Sequence, residues 1–363
     1  MPKKYGIESV AKALGLRFKG RGDKDSLYYY CPFCNDRKGK LNINIKGNIW
    51  RCNKCGEGGG VVQLVEYYKE CSREDALAWL QSNPEIFITD GDTYSATYEE
   101  RKPEIADEDT LDKTYRALLS ILELNDTHRA DLHRRGLSDK AIESFGFKSM
   151  PNKKKGFEIA NNLFKQGYVL KGVPGFYVSG SSWRIQDLPG YLIPFINANG
   201  KITGMQIRTD NPGERNAKYM SLTSTGKNQG TKSSIEAHLI GFNNQNKVFI
   251  TEGALKADTA SYLTWLRKKK QCAFLAIPGV NNYKSLTKAL KVLKEKGVTT
   301  IYNCFDMDRV GNNDCELNIQ VKKAVMKIEK IVKEAGFEWK SLEWEYEKGI
   351  DDYELYLYQN SRG

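Results

Sequence analysis

Along the first eighty residues the apolar positions change period several times. Residues 7–15 repeat at helical spacing and stop at Gly15, which predicts a short amphipathic helix. Residues 26–34 and 41–52 read as strands: Leu41, Ile43 and Ile45 alternate, Ile49 resumes the pattern, and residues 46–48 make the turn between them. A glycine-rich loop is expected over residues 56–60, then two helices over 61–70 and 72–81, the second opened by a capping signal at Ser72. Residues 89–110 carry almost no periodic apolar signal and read as a linker. A helical stretch punctuated by Gly136 and Gly146 follows. From about 166 to 222 short strands and turns dominate, the clearest hairpin bending at residues 197–200. From 247 onward, strands at 247–253, 272–279 and 299–308 alternate with helices at 254–270, 283–297 and 316–336. That spacing predicts a doubly wound parallel sheet. The expected class is α/β within a multi-domain α+β chain, with segments 1–88, 89–110 (the linker), 111–242 (mixed α+β and basic) and 243–363 (the parallel sheet).

Composition adds direction. The 363 residues exceed one typical domain, and 40% hydrophobic residues suffice for real cores. A net charge of +11 attracts polyanions, nucleic acid being the commonest. No run approaches the ~18–20 apolar residues that span a bilayer, and the start lacks the apolar stretch of a signal peptide, so no membrane partner and a reducing cytoplasm are expected.

Four of the eight cysteines, Cys31, Cys34, Cys52 and Cys55, form C-x2-C-x17-C-x2-C. Each close pair can turn two thiolates toward one ion, and two pairs complete a tetrahedral S4 shell that suits one structural zinc. Iron is the alternative metal for such a shell, and free buried cysteines or a disulfide the alternative without one. Around them Tyr28, Tyr29, Tyr30, Phe33 and Trp50 interleave with Arg37, Lys38, Lys40, Lys46, Arg51 and Lys54. Such aromatics can stack on unpaired bases while cations hold phosphates, or alternate ones can fill a very small core. Trp50, Arg51 and Lys54 are the candidate nucleic-acid contacts here.

The last segment carries acids at its strand ends. The first strand ends in Glu252-Gly253, the second in Pro278-Gly279, the third in Asp306-Met307-Asp308. In a doubly wound sheet the carboxyl ends of strands line one crevice, so Glu252, Asp306 and Asp308 would converge there. On an extended chain the two aspartates of D-x-D share a side. Carboxylates without histidine or cysteine favour magnesium or manganese, ions that stabilise phosphoryl-transfer charge. Solvated turn acids are the bland alternative. Asp351 and Asp352 are candidates for an outer metal site or a helix N-cap. His128, His133 and His238 sit in helical or turn contexts and are read as structural.

Nearly the whole chain resembles the bacterial DnaG-type primases. CPFC…WRCNKCGEGGGVVQLV is similar to that family's zinc ribbon, LHRRGLSDKAIESFGF to the start of its RNA polymerase domain, and YLIPFINANGKITGMQIRTDNPGERNAKYMSL to its basic template-binding motif. VFITEGALKAD…LAIPGV…NCFDMD resembles its Toprim fold. The resemblance implies a metal-dependent nucleotidyltransferase that makes short RNA primers from NTPs on single-stranded DNA. A replicative helicase is then a possible partner. Glu252, Asp306 and Asp308 would be catalytic and would hold Mg2+ or Mn2+, with Asp351 at a later acidic position. Arg208, Lys218 and Tyr219 would lie along the nucleic-acid path, and Lys256 would join them.

Three departures stand out. Cys34 replaces the usual zinc-binding histidine, a change that should preserve zinc. Lys256 occupies the place of an aspartate four residues after the Toprim glutamate, where a cation could replace a metal charge, contact a phosphate or weaken catalysis. The later Asp-Pro-Asp pattern is reduced to Asp351-Asp352, and the chain stops soon after, which suggests a compact primase of a phage, plasmid or other mobile element. A Toprim nuclease using the same carboxylates, or a catalytically weak single-strand-binding adaptor, are the competing readings.

Overall fold

The structure is a computed structural model, and it describes residues 5–361 apart from 24, 35, 56, 84–85, 87–104, 213–216, 226 and 312–316. The chain divides into two compact units, Met1–Glu100 and Arg101–Gly363. Most of the expected linker, residues 89–104, lies outside the described residues. Its last residues are already structured: Asp107 caps a helix, accepting from Thr110 N at 2.9 Å, and that helix begins at Glu108.

The first unit is built on an antiparallel sheet of β1 (Phe18–Arg21), β2 (Ser26–Tyr29), β3 (Leu41–Asn44), β4 (Ile49–Cys52) and β5 (Gly58–Gly60), in that spatial order. Burial alternates along β2, β3 and β4, as a sheet with one covered face requires. The covered side packs Leu27, Leu41, Ile43 and Trp50 with apolar residues of α1 (Ile7–Ala13), α2 (Val61–Lys69) and α3 (Arg73–Gln81) in one core. Ser72 caps α3, accepting from Asp75 N at 3.1 Å. Two features escaped the sequence reading. Strand β1 was not expected, and the glycine-rich stretch read as a loop supplies β5. Glycine is needed there because a Cβ on Gly58 would stand 2.7 Å from the Trp50 carbonyl oxygen of the neighbouring strand.

In the second unit the stretches 111–242 and 243–363 lie in one compact body. Helices α4 (Glu108–Ile121), α5 (Asp126–Arg134) and α6 (Asp139–Phe145) precede the short strand β6 (Lys148–Ser149) and α7 (Lys153–Lys165). After the hairpin β7 (Phe176–Ser179) and β8 (Ser182–Ile185) come β9 (Gly190–Ile196), β10 (Ile202–Thr209) and β11 (Tyr219–Ser221). Strands β11, β10, β9 and β6 form an antiparallel sheet in that order, and the expected hairpin bends between β9 and β10.

Next come β12 (His238–Ile240), β13 (Lys247–Glu252), α8 (Ala254–Lys268), β14 (Ala273–Ile277), α9 (Leu286–Glu295), β15 (Thr300–Asn303), α10 (Ile319–Glu334), β16 (Glu338–Ser341) and α11 (Ile350–Asn360). The sheet order is β12-β14-β13-β15-β16. Its last four strands are parallel: β13, β14 and β15 as expected, with β16 an unforeseen fourth, and β12 adds an antiparallel edge from outside the expected segment. Because β14 and β15 lie on opposite sides of β13, the chain reverses its winding direction at the carboxyl end of β13, the usual place for a binding crevice.

Buried polar bonds join the two sheets. Gln206 on β10 donates to the Pro278 carbonyl at 2.7 Å. Ile196 N donates to His238 Nδ1 at 2.9 Å, and the other ring nitrogen meets Asp258 at 2.9 Å. His128 likewise bridges Ser149 and Asp210, each at 2.7 Å. These two histidines hold elements together, in keeping with the structural reading.

Candidate zinc site and acidic cleft

In the first unit the cysteine pairs follow β2 and end β4, and the β3–β4 hairpin folds one pair back over the other. Cys31 and Cys55 Sγ are 3.9 Å apart, Cys34 and Cys52 Sγ 3.8 Å, and all four sulfurs lie within 4.8 Å of one another. A sulfur tetrahedron around zinc, with Zn–S of about 2.3 Å, has edges of roughly 3.8 Å. Lys54 N also donates to Cys52 Sγ at 3.3 Å, a bond that favours a thiolate.

The residues expected to touch nucleic acid beside it divide. Arg51 and Lys54 are exposed, and the Lys54 ammonium reaches the Cys34 carbonyl at 3.1 Å. Trp50 is only 2% exposed and packs against Phe33 and Tyr67 at ring-centroid distances of 5.1 and 5.8 Å. Its expected role in base stacking is therefore corrected to that of a core residue: alternation on β4 turns Trp50 inward and Arg51 outward.

In the second unit an open cleft of about 660 Å3 lies at the carboxyl end of β13. Glu252 ends that strand, and Gly253, with φ +82°, turns the chain directly into α8. Lys256 is then the third residue of the helix, and its ammonium pairs with Asp306. Asp351 enters from the first turn of α11, beyond Gly349, the helix N-cap, so it is not itself the cap. Its carboxylate pairs with Arg135, at 3.5 Å, in the turn after α5. Gly136 allows that approach: it adopts φ +88°, and a Cβ there would meet Leu355 and Leu263 at 2.8 and 3.0 Å. Facing these groups are Lys218 and Tyr219, before and on β11.

Asp308 departs from expectation. Strand β15 ends at Asn303, and residues 307–309 form a single 3-10 turn, so the two aspartates no longer share the side of an extended strand. Asp306 lines the cleft, whereas Asp308 does not; it is 6% exposed and pairs with Lys348 at 2.7 Å. The turn is locked by buried Arg309, whose guanidinium donates to the Phe305, Asp306 and Leu342 carbonyls. Arg208 also lies behind the cleft lining. Its Nε is 3.1 Å from Asp131 and its Nη1 3.3 Å from the Tyr219 hydroxyl.

The electrostatics are those of a crowded, partly dry site. Burial pushes the Glu252 carboxyl up, opposed by Lys256 and helped by Asp306. Asp351 is raised in the same way, burial outweighing Lys256 and Arg135. Burial pulls the Lys256 amine down, but Asp306, Asp351 and Glu252 outweigh it and keep it charged. Lys218 is lowered by burial and by Arg208, Arg135 and Lys256, and it makes no ion pair among the described residues. A half-buried amine among cations is a receptor for an anion. Arg135, Gln206, Arg309 and Lys348 were missed by the sequence reading, although Arg135 lay in one quoted motif, LHRRGLSDK, and Gln206 in another, GKITGMQIR.

Parts of the chain are similar to known proteins. Residues 4–95 match the family described as CHC2 zinc finger. The first unit is a zinc ribbon of the DnaG type. Its four-cysteine shell binds zinc with Cys34 in place of a histidine. Residues 240–356 match a domain of unknown function, DUF3854. The chain is 22% identical over 197 residues to a DNA primase of Lactococcus lactis, covering 54% of this chain and 31% of that protein. It is 24% identical over 141 residues to a DNA primase of Clostridium acetobutylicum, covering 39% and 23%. It thus spans under a third of the curated relatives it matches. The solved Aquifex aeolicus primase, with zinc-binding and RNA polymerase domains, aligns with 99% of this chain and 85% of its own at 14% identity and a TM-score of 0.49. Parts of the chain are thus similar to DNA primases, and its first unit to the zinc finger of the DnaG type. Among the described residues no helix is long and apolar enough to cross a membrane.

Proposed function

We propose that the chain synthesises short RNA primers on single-stranded DNA by nucleotidyl transfer, with the zinc ribbon gripping template and the Toprim-like second unit joining nucleotides in the cytoplasm. One observation carries the reading: Glu252, Asp306 and Asp351 meet in one cleft whose facing wall is the basic strand region of Lys218 and Tyr219. A polymerase needs that pairing of a carboxylate side for cations with a basic side for phosphates.

A divalent ion fits the donor chemistry. Glu252 and Asp306 line the cleft, and Asp351 Oδ1 is buried without a hydrogen-bond partner among the described residues. Glu252 and Asp306 would hold Mg2+ or Mn2+, with Asp308 behind them keeping Lys348 in place. The ion would neutralise charge on the reacting phosphates and help activate the attacking hydroxyl. Lys218, Lys348 and Lys256 supply the fixed positive charge for an incoming NTP. Arg208, oriented by Asp131, sets the Tyr219 hydroxyl toward the strand path. The expected Lys256 contact with nucleic acid is thereby narrowed, since its ammonium is engaged by Asp306.

The test is a priming assay with the purified chain, mixed-sequence single-stranded DNA, labelled NTPs and Mg2+ or Mn2+, beside Asp306→Ala. Short labelled RNAs that vanish in the variant establish the activity. DNA binding without product under either metal sinks it, and metal-dependent DNA cleavage without NTPs would favour a nuclease. A replicative helicase is a proposed partner, tested by adding one to the same assay.

A further inference from the structure

We infer that the Lys256 ammonium is a resident cation occupying the place of one of the two ions of a two-metal carboxylate site, so that the cleft takes one divalent ion per chain. This rests on the reading of the cleft as a nucleotidyl-transfer site.

Position is the first argument. Lys256 lies in the first turn of α8, where the positive end of the helix dipole disfavours a cation. Its side chain is only 19% exposed. A buried charge at that place needs strong compensation, and the compensation is visible: the ammonium pairs with Asp306 and is attracted by Asp351 and Glu252. These are the same carboxylates that would otherwise gather around a metal.

Room for the ammonium is built into the backbone. A Cβ on Gly349 would stand 2.6 Å from Asp351 Oδ1 and 3.3 Å from Lys256 Nζ. Glycine there lets the amine and the carboxylate face each other across the start of α11. Asp351 Oδ1 itself is buried with no hydrogen-bond partner among the described residues, so the cluster retains capacity for a further cation.

Charge is the third argument. Among the described residues, the charged ones lining the cleft are Glu252, Asp306, Asp351 and Asp352 against Arg135, Lys218, Lys256 and Lys348, four of each sign. A lining already balanced attracts a pair of dications poorly. Among the described residues, moreover, the cysteines are the only three or more metal-ligating side chains with donor atoms within 4.8 Å of one another. Asp306 and Asp351 each stand beside a cationic side chain instead, Lys256 and Arg135.

Manganese counting tests this without any need for catalysis. The full chain carrying its zinc is titrated with Mn2+ and followed by the loss of the free-ion paramagnetic resonance signal. The wild type should take up one Mn2+, lost in Asp306→Asn, and Lys256→Asp should take up two. Lys256→Gln guards against a misfolded aspartate variant: it should bind Mn2+ about tenfold more tightly, because a nearby positive charge is gone. Two ions bound by the wild type and displaced in Asp306→Asn would overturn the inference, as would none at all. Unchanged uptake in Lys256→Asp, provided it folds, or unchanged affinity in Lys256→Gln, would do the same. An inactive chain that binds one ion sinks the primase reading alone, and an active primase that binds two sinks this inference alone.

Discussion

Arg135 faces Asp351 across 3.5 Å, tying the turn after α5 to the first turn of α11. The guanidinium is 18% exposed and the carboxylate 6%, so neither charge is free to return to water. Removing one partner of such a pair leaves the other uncompensated. Arg135→Met should therefore destabilise the second unit by about 3 kcal/mol. Adding Asp351→Asn to that variant should recover part of the loss. Urea unfolding followed by tryptophan fluorescence measures both, and an unmoved midpoint in the single variant would refute the coupling.

Asp131 gathers the cations behind the cleft. Its carboxylate lies 3.1 Å from Arg208 and 3.5 Å from Arg135, pairs with Arg134, and accepts from the Tyr191 hydroxyl at 3.0 Å. Burial alone would push its carboxyl up, but Arg135, Arg208, the Tyr191 hydroxyl and Arg134 outweigh burial and hold it below the usual carboxylate range. A depressed pKa in the folded state means the stabilisation is complete above the unfolded value of about 4 and disappears as pH falls through the lower folded value. Asp131→Asn should lower stability at pH 7 by roughly 2 kcal/mol. The gap between wild type and variant should close as pH is lowered from about 5 to below 3. Thermal melts across that range check the sign; a gap that widens in acid is inconsistent with it.

The sequence carried what repeats and what is spaced, and it lost what depends on long-range placement. Cysteine spacing, the β9–β10 hairpin and the strand–helix alternation after 247 are local patterns, and the structure follows them. Glu252 was legible because it ends a buried strand and is followed by glycine. Asp308 was misread because its position assumed that β15 continues through Asp306, while Arg309 instead pins those residues into a turn through carbonyls 3–4 and 33 positions away. Arg135 and Lys348 carry no spacing signal at all; they reach the cleft only because distant elements pack together. Trp50 was ambiguous in sequence for a simpler reason. An aromatic on an alternating strand suits either face, and the register relative to Cys52, which must point inward to the metal, decides it.

That register makes adjacent residues of β4 separable. Trp50→Ala should cost the zinc ribbon about 3–5 kcal/mol through lost packing with Phe33 and Tyr67. Arg51→Ala should leave stability unchanged. It should weaken single-stranded DNA binding uniformly across sequences and reduce the salt dependence by about one phosphate contact. Fluorescence anisotropy at several salt concentrations, beside thermal melts, distinguishes the two. An Arg51→Ala variant with the wild-type salt slope removes Arg51 from the interface.

Zinc should be indispensable to the first unit and largely indifferent to the second ligand's chemistry. The four sulfurs are spaced for one tetrahedral ion, and Cys31, Cys34 and Cys52 are themselves part of the unit's buried core, where they tie the end of β4 to the segment after β2. Cys34→Ala leaves three ligands and should lose most of the metal, and with it the fold of residues 5–81, since binding free energy of about 10 kcal/mol or more is folding free energy in such small sites. Cys34→His restores a nitrogen donor at the same place and should keep one zinc per chain with a native melt. Metal content by atomic absorption and protease resistance of the first unit check both variants. A Cys34→Ala chain that retains full zinc and resistance would show that Cys34 is not a ligand.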